Sequence, residues 1–99
     1  MSLIHYEKDF NELIKEYAVV DFYATWCGPC KMFGPIFEEV SNEKEINFIK
    51  IDVDKNPEIA REYGVMSIPT IILFKNGQES KRFTGFMSKE NLINFIEEK

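Results

Sequence analysis

In the stretch Ala18-Val19-Val20-Asp21-Phe22-Tyr23-Ala24-Thr25-Trp26-Cys27-Gly28-Pro29-Cys30-Lys31, a strand, a turn and the start of a helix follow one another. Ala18–Ala24 is a nearly continuous apolar run of strand length, as expected of a central strand covered on both faces. From Cys27 to about Glu43 the pattern is helical, with Phe33, Ile36, Phe37 and Val40 on one face. Pro35 falls inside this stripe and removes one ladder hydrogen bond, which predicts a kink. Between strand and helix stand Cys27 and Cys30, the only two cysteines of the chain. A gap of two residues lets a pair of thiols close into a disulfide and open again. So small a ring removes little entropy from the unfolded chain, so the pair reads as a redox switch rather than a staple.

Outward from this segment, the elements alternate. Leu3–His5 suits a short first strand. Phe10, Leu13, Ile14 and Tyr17 recur at helical spacing, with Asp9 and Glu12 placed as a capping-box-like pair. Ile46–Val53 is the next strand. Asn56-Pro57 reads as cap and first turn of a short helix ending at Tyr63-Gly64. Thr70–Lys75 and Ser80–Thr84 flank Asn76-Gly77, a strong hairpin signal. Ser88 caps a last helix with Leu92, Phe95 and Ile96 inward. The order βαβαβαββα predicts an α/β fold with parallel strands first, an antiparallel hairpin last and helices on both faces.

The 99 residues fit one domain, 1–99, without repeat, linker or low-complexity segment. Nine Phe, four Tyr and one Trp supply a core that needs no metal or disulfide. The net charge of −5, with no basic cluster, speaks against nucleic acid as a partner. The longest apolar run, Ile71–Phe74, is too short for a membrane span. The N-terminus shows no recognisable secretion signal, so a reducing, cytoplasmic setting is the default expectation. Neither Gly-x-Gly-x-x-Gly nor a P-loop is present, so no cofactor is expected and electrons must come from a partner protein. Structural zinc normally needs four ligands. Two cysteines and the distant His5 could complete a site only between chains, so no metal is expected.

With these elements in place, the chain resembles the thioredoxin family over essentially its whole length. Val20–Lys31 is similar to the family's active-site segment, and Pro35 to its helix-kinking proline. Tyr63-Gly64-Val65-Met66-Ser67-Ile68-Pro69-Thr70 resembles the segment with the family's cis-proline. Phe74-Lys75-Asn76-Gly77 and Gly85 match its hairpin and the glycine that follows. Tyr23 departs from the family where many members carry tryptophan. The resemblance implies a thioredoxin fold with strand order 1-3-2-4-5. It also implies a protein-disulfide reductase, monomeric, acting on disulfide-containing proteins and re-reduced by a thioredoxin reductase.

Cys27, at the start of the long helix, is the expected nucleophile, because unpaired N–H groups and the helix dipole favour a thiolate there. Cys30 is the expected resolving thiol, placed more deeply. Asp21, a carboxylate amid Val19-Val20 and Phe22-Tyr23, is expected to be buried, with a raised pKa, and to accept the Cys30 proton. The family pattern puts Lys50 near Asp21. Pro69 read alone fits a cis bond or a trans edge-strand proline equally; the resemblance implies cis, with the Ile68 backbone free to pair with a substrate strand. Trp26, Gly28, Pro29, Ile68 and Gly85 are expected to form a flat apolar docking surface beside the thiols. Gly-Pro between the cysteines goes, by the same resemblance, with reducing rather than oxidising or isomerising members. A non-catalytic binding role could be added to this chemistry but would not replace it.

Overall fold

A computed structural model describes residues 3–98. Its strands are β1 (Leu3–His5), β2 (Tyr17–Tyr23), β3 (Asn47–Asp52), β4 (Thr70–Lys75) and β5 (Gln78–Thr84). The helices are α1 (Phe10–Leu13), α2 (Gly28–Ser41), α3 (Pro57–Glu62) and α4 (Lys89–Glu97). The strands form one mixed sheet in the order β1-β3-β2-β4-β5, as expected. β3 runs parallel to β1 and β2, while β4 runs antiparallel to β2 and β5.

Side-chain alternation along the strands divides the core in two. Val19, Phe48, Ile71 and Leu73 pack with Phe33, Phe37 and Val40 of α2 and Leu92 and Ile96 of α4. Val20, Phe22, Ile49, Ile51, Ile72 and Phe74 face the other way, against Phe10 and Ile14 and, from the α3 side, Ile59 and Tyr63. Both faces of β2 are therefore covered, which is why its central five residues are all buried. Asp21 shares the α2 face with Val19, two residues away in the strand.

The chain departs from its local signals where tertiary contacts oppose them. The helical stripe from Phe10 to Tyr17 yields only the single turn of α1. Tyr17 starts β2 instead, paired with Lys75, and its hydroxyl donates to the Ile96 carbonyl. The carbonyls of Ile14 and Glu16 are taken by the N–H groups of Gly77 and Asn76 in the β4–β5 turn. Asp9 adopts a left-handed backbone with φ 64° and makes no side-chain cap, so the expected capping box does not form. The Asn56 side chain likewise leaves its helix uncapped and donates to the Asp52 carbonyl. Ser88 does cap α4, accepting from the Asn91 N–H at 3.1 Å. At the hairpin, Asn76 and Gly77 have φ of 54° and 82°, the pair of positive angles that a type I′ turn requires.

The long helix runs unbroken through Pro35. Gly34 beside it weakens the helix by about 1 kcal/mol relative to alanine. A Cβ there would lie 3.4 Å from Lys50 Nζ, ordinary contact with the tip of a flexible side chain. Gly34→Ala is therefore expected to stabilise the protein by about 1 kcal/mol and raise Tm by about 4 °C. A lower Tm by calorimetry would mean that Lys50 has no freedom to give way.

Candidate active site

Cys27 occupies the N-cap of α2 with an extended backbone, and Pro29 lies in the first turn, where its missing N–H is not needed. Cys27 and Cys30 are joined by a disulfide, their Cα atoms 5.2 Å apart. The Cys30 N–H donates to Cys27 Sγ at 3.2 Å. A 14-residue helix thus points its positive end at one sulfur and places a backbone donor on it. That combination stabilises negative charge on the sulfur, the state a thiol needs in order to attack or to leave.

The two cysteines are buried almost equally, at 5% and 4% exposure. The expected difference in depth is therefore absent, and their asymmetry lies in what surrounds them. Cys27 Sγ stands 3.8 Å from the Ile68 carbonyl oxygen, toward the loop that precedes β4. Cys30 lines a cavity of about 310 Å³ that also borders Tyr23, Gly34, Glu38 and Lys50.

The Ile68–Pro69 peptide bond is cis. Two contacts hold its loop. The buried Thr70 hydroxyl donates to the Ser67 carbonyl, and the Gly85 N–H donates to the Pro69 carbonyl at 2.8 Å. Gly85 adopts φ 114°, which a side chain would strain, so glycine suits the turn that brings the end of β5 to the cis bond. The helix N-terminus, the cis-proline loop and the residue after β5 are thereby gathered around one disulfide.

Asp21 lies in the middle of β2 with no exposed surface, and neither carboxylate oxygen has a hydrogen-bond partner among the described residues. Burial raises its pKa from the ordinary 3.8 to about 7, against a smaller lowering by the Lys50 charge. Lys50 is its register partner on β3. The Lys50 ammonium lies over the Tyr23 ring, 4.5 Å from its centroid.

Of the residues expected at a docking surface, Trp26, Gly28 and Pro29 are exposed, and Ile68 and Gly85 are partly so. Trp26 presents 68% of its surface to solvent and donates its indole N–H to Asp54 Oδ2 at 2.8 Å. Sequence reasoning missed Asp54, which lies on the β3–α3 connection, 28 positions from Trp26. Nothing in the local pattern of Asp54 marks it, because it matters through a contact made across the fold. Met66 is the most exposed large apolar side chain among the described residues, at 95%. Among the described residues no group of His, Cys, Asp and Glu could hold a metal.

Comparison with known proteins agrees with this geometry. The Thioredoxin family model matches residues 2–98. Thioredoxin from Staphylococcus aureus is 46% identical over 94 residues, covering 92% of this chain and 90% of that protein. The structure of Schistosoma mansoni thioredoxin superposes with a TM-score of 0.89 at 39% identity, covering 98% of this chain and 94% of that one. A mutant thioredoxin from Halobacterium salinarum gives a TM-score of 0.92 at 31% identity, covering 98% and 89%. A sheet of the same order and a disulfide at the start of its second helix accompany a match along nearly the whole chain, so the protein belongs to the thioredoxin family of thiol–disulfide oxidoreductases.

Proposed function

We propose that the chain is one thioredoxin domain, residues 1–99, that reduces disulfides in other proteins and is re-reduced by a thioredoxin reductase. The observation that carries this reading is the Cys30 N–H on Cys27 Sγ at the N-terminus of α2. It makes Cys27 the sulfur better able to bear charge, hence the attacking thiolate. Cys27 attacks one sulfur of the substrate disulfide, forming a mixed disulfide and expelling the other substrate sulfur as a thiolate. Cys30 gives its proton to Asp21 and attacks Cys27 Sγ. The Cys27–Cys30 bond forms, the mixed disulfide breaks and the second substrate thiolate leaves. Two electrons have passed from the dithiol to the substrate, and the reductase must return two.

Asp21 suits the acceptor role because its pKa of about 7 lets it take and release a proton near neutral pH. Lys50 supplies an opposite charge that acts on that carboxyl. The cis bond to Pro69 turns the Ile68 backbone beside Cys27, where an extended substrate segment can pair with it. Trp26, Gly28, Pro29 and Gly85 complete the contact surface. A monomer acting in the cytoplasm fits this reading, since a dithiol stays reduced where the compartment is reducing.

Insulin-disulfide reduction with dithiothreitol as electron source tests the activity, and a rate no higher than that of dithiothreitol alone would refute it. The direction of the chemistry is read from the reduction potential. A value near the known thioredoxin potential of about −270 mV supports a reductant, whereas one near about −120 mV would make the protein an oxidant.

A further inference from the structure

Lys50 stands opposite Asp21 in the β2–β3 register, yet neither it nor any other described residue hydrogen-bonds the Asp21 oxygens. The ammonium is held elsewhere. The Tyr23 ring lies 4.5 Å beneath it, and α2 closes from the other side, where a Cβ at position 34 would be 3.4 Å from Nζ. This is the rim of the cavity that Cys30, Lys31 and Glu38 also line. We infer that Tyr23 is a positioning residue for the exchange: its ring face keeps the Lys50 ammonium inside the site, beside Asp21 and Cys30, rather than in bulk water. The inference rests on the reading of Asp21 as the acceptor of the Cys30 proton.

The physical reason is a balance of two limits. An ammonium in direct contact with Asp21 would hold the carboxylate ionised through its charge, and an ammonium lost to solvent would leave burial unopposed. A cation partly withdrawn from water is attracted to the negative face of an aromatic ring. The ring therefore holds the Lys50 ammonium off the carboxylate, to which it makes no hydrogen bond. Other charges meet at this place. His5 of β1 is in register with Lys50, Asp52 of β3 acts on Tyr23, and Lys31 and Glu38 come from α2. The β4 neighbours of β2 here, Thr70 and Ile71, carry no charge.

The test is the titration of the Asp21 carboxyl, followed by ¹³C NMR in the oxidised protein, together with the pH profile of the resolving step in single turnovers. Tyr23→Leu keeps apolar volume but removes the ring face, and its Asp21 midpoint is expected to rise by about half a pH unit, with the resolving step following. Tyr23→Phe keeps the ring face and is expected to titrate as the parent does. Lys50→Met is expected to give the same rise, and Tyr23→Leu added to it no more. If Tyr23→Leu does not fold, Tyr23→Met replaces it. An unchanged or lowered midpoint in the leucine or methionine variant overturns the inference, as does an equal rise in Tyr23→Phe. Asp21→Asn separates this failure from the other. If a phase with the parent's Asp21 midpoint survives in Asp21→Asn, the acceptor reading itself is wrong. If it vanishes there while Tyr23→Leu changes nothing, only the positioning role falls.

Discussion

Cys30→Ser is expected to stop turnover after the first exchange and to leave substrate bound to Cys27 as a mixed disulfide. Under the proposed mechanism the second thiol, whose Cα lies 5.2 Å from that of Cys27, is held beside the bond it breaks. Well-oriented intramolecular groups act at effective concentrations on the order of 10⁵ M, which no thiol in solution approaches. Without Cys30 the adduct waits for an external thiol, so multiple-turnover insulin reduction is expected to fall by at least about a thousandfold. The adduct is read by mass spectrometry and disappears on treatment with dithiothreitol. Cys27→Ser is expected to form no adduct, because the sulfur favoured by the Cys30 N–H is gone. If Cys27→Ser trapped substrate and Cys30→Ser did not, the roles of the two thiols would be reversed. The Cys30→Ser protein is also the reagent with which to capture physiological targets.

Asp21→Asn is expected to make the protein more stable and slower. Unfolded, the Asp21 carboxyl releases its proton near 3.8; folded, burial holds the proton up to about pH 7. Between those values the folded state carries one proton more than the unfolded state. Stability therefore falls as pH rises across this window, by about 1.4 kcal/mol per unit and roughly 4 kcal/mol in all, and is flat above it. The stabilisation from this proton is complete below the unfolded value and gone above the folded one. Asparagine, which cannot ionise, removes that slope and is expected to gain between about 2 and about 4 kcal/mol at pH 8, the shortfall coming from its own unpaired amide. Denaturant unfolding from pH 4 to pH 8 measures it, and a slope that persists in the variant would assign the proton to another group. In the same variant, resolution of the mixed disulfide is expected to slow while the first attack is less affected, because only the resolving step needs Cys30 to lose a proton. Equal slowing of both steps would count against the acceptor role. A carboxylate retained at such a cost to the core fits the exchange of stability for activity seen at many active sites.

Asp21 illustrates how legible the site was before the fold was known. A charge inside Val19-Val20-Asp21-Phe22-Tyr23 cannot reach water if the strand is central, and it is buried as that argument requires. Unlike the strand order, which came only from the family resemblance, the helix start at the cysteines, the Asn76-Gly77 turn and the Ser88 cap were readable for the same reason. Each is a short-range rule of spacing or turn chemistry carried by neighbouring residues. α1 shows where that reasoning stops. Phe10 to Tyr17 has a good helical stripe, but pairing of Tyr17 with Lys75 and capture of the Ile14 and Glu16 carbonyls by the distant turn end the helix after one turn. Local preference there amounts to tenths of a kcal/mol per residue and yields to strand pairing.

The amino-acid sequence by itself determined the order of elements, the redox pair and the buried acid, because periodicity and a charge in an apolar run are properties of adjacent residues. Only the tertiary structure decided that the two cysteines are equally buried, that Asp54 holds the Trp26 indole, and that the Lys50 ammonium stands over Tyr23 rather than on Asp21. Those contacts join residues from different strands and loops. Their distances depend on how the sheet and α2 pack, which no local pattern of residues encodes.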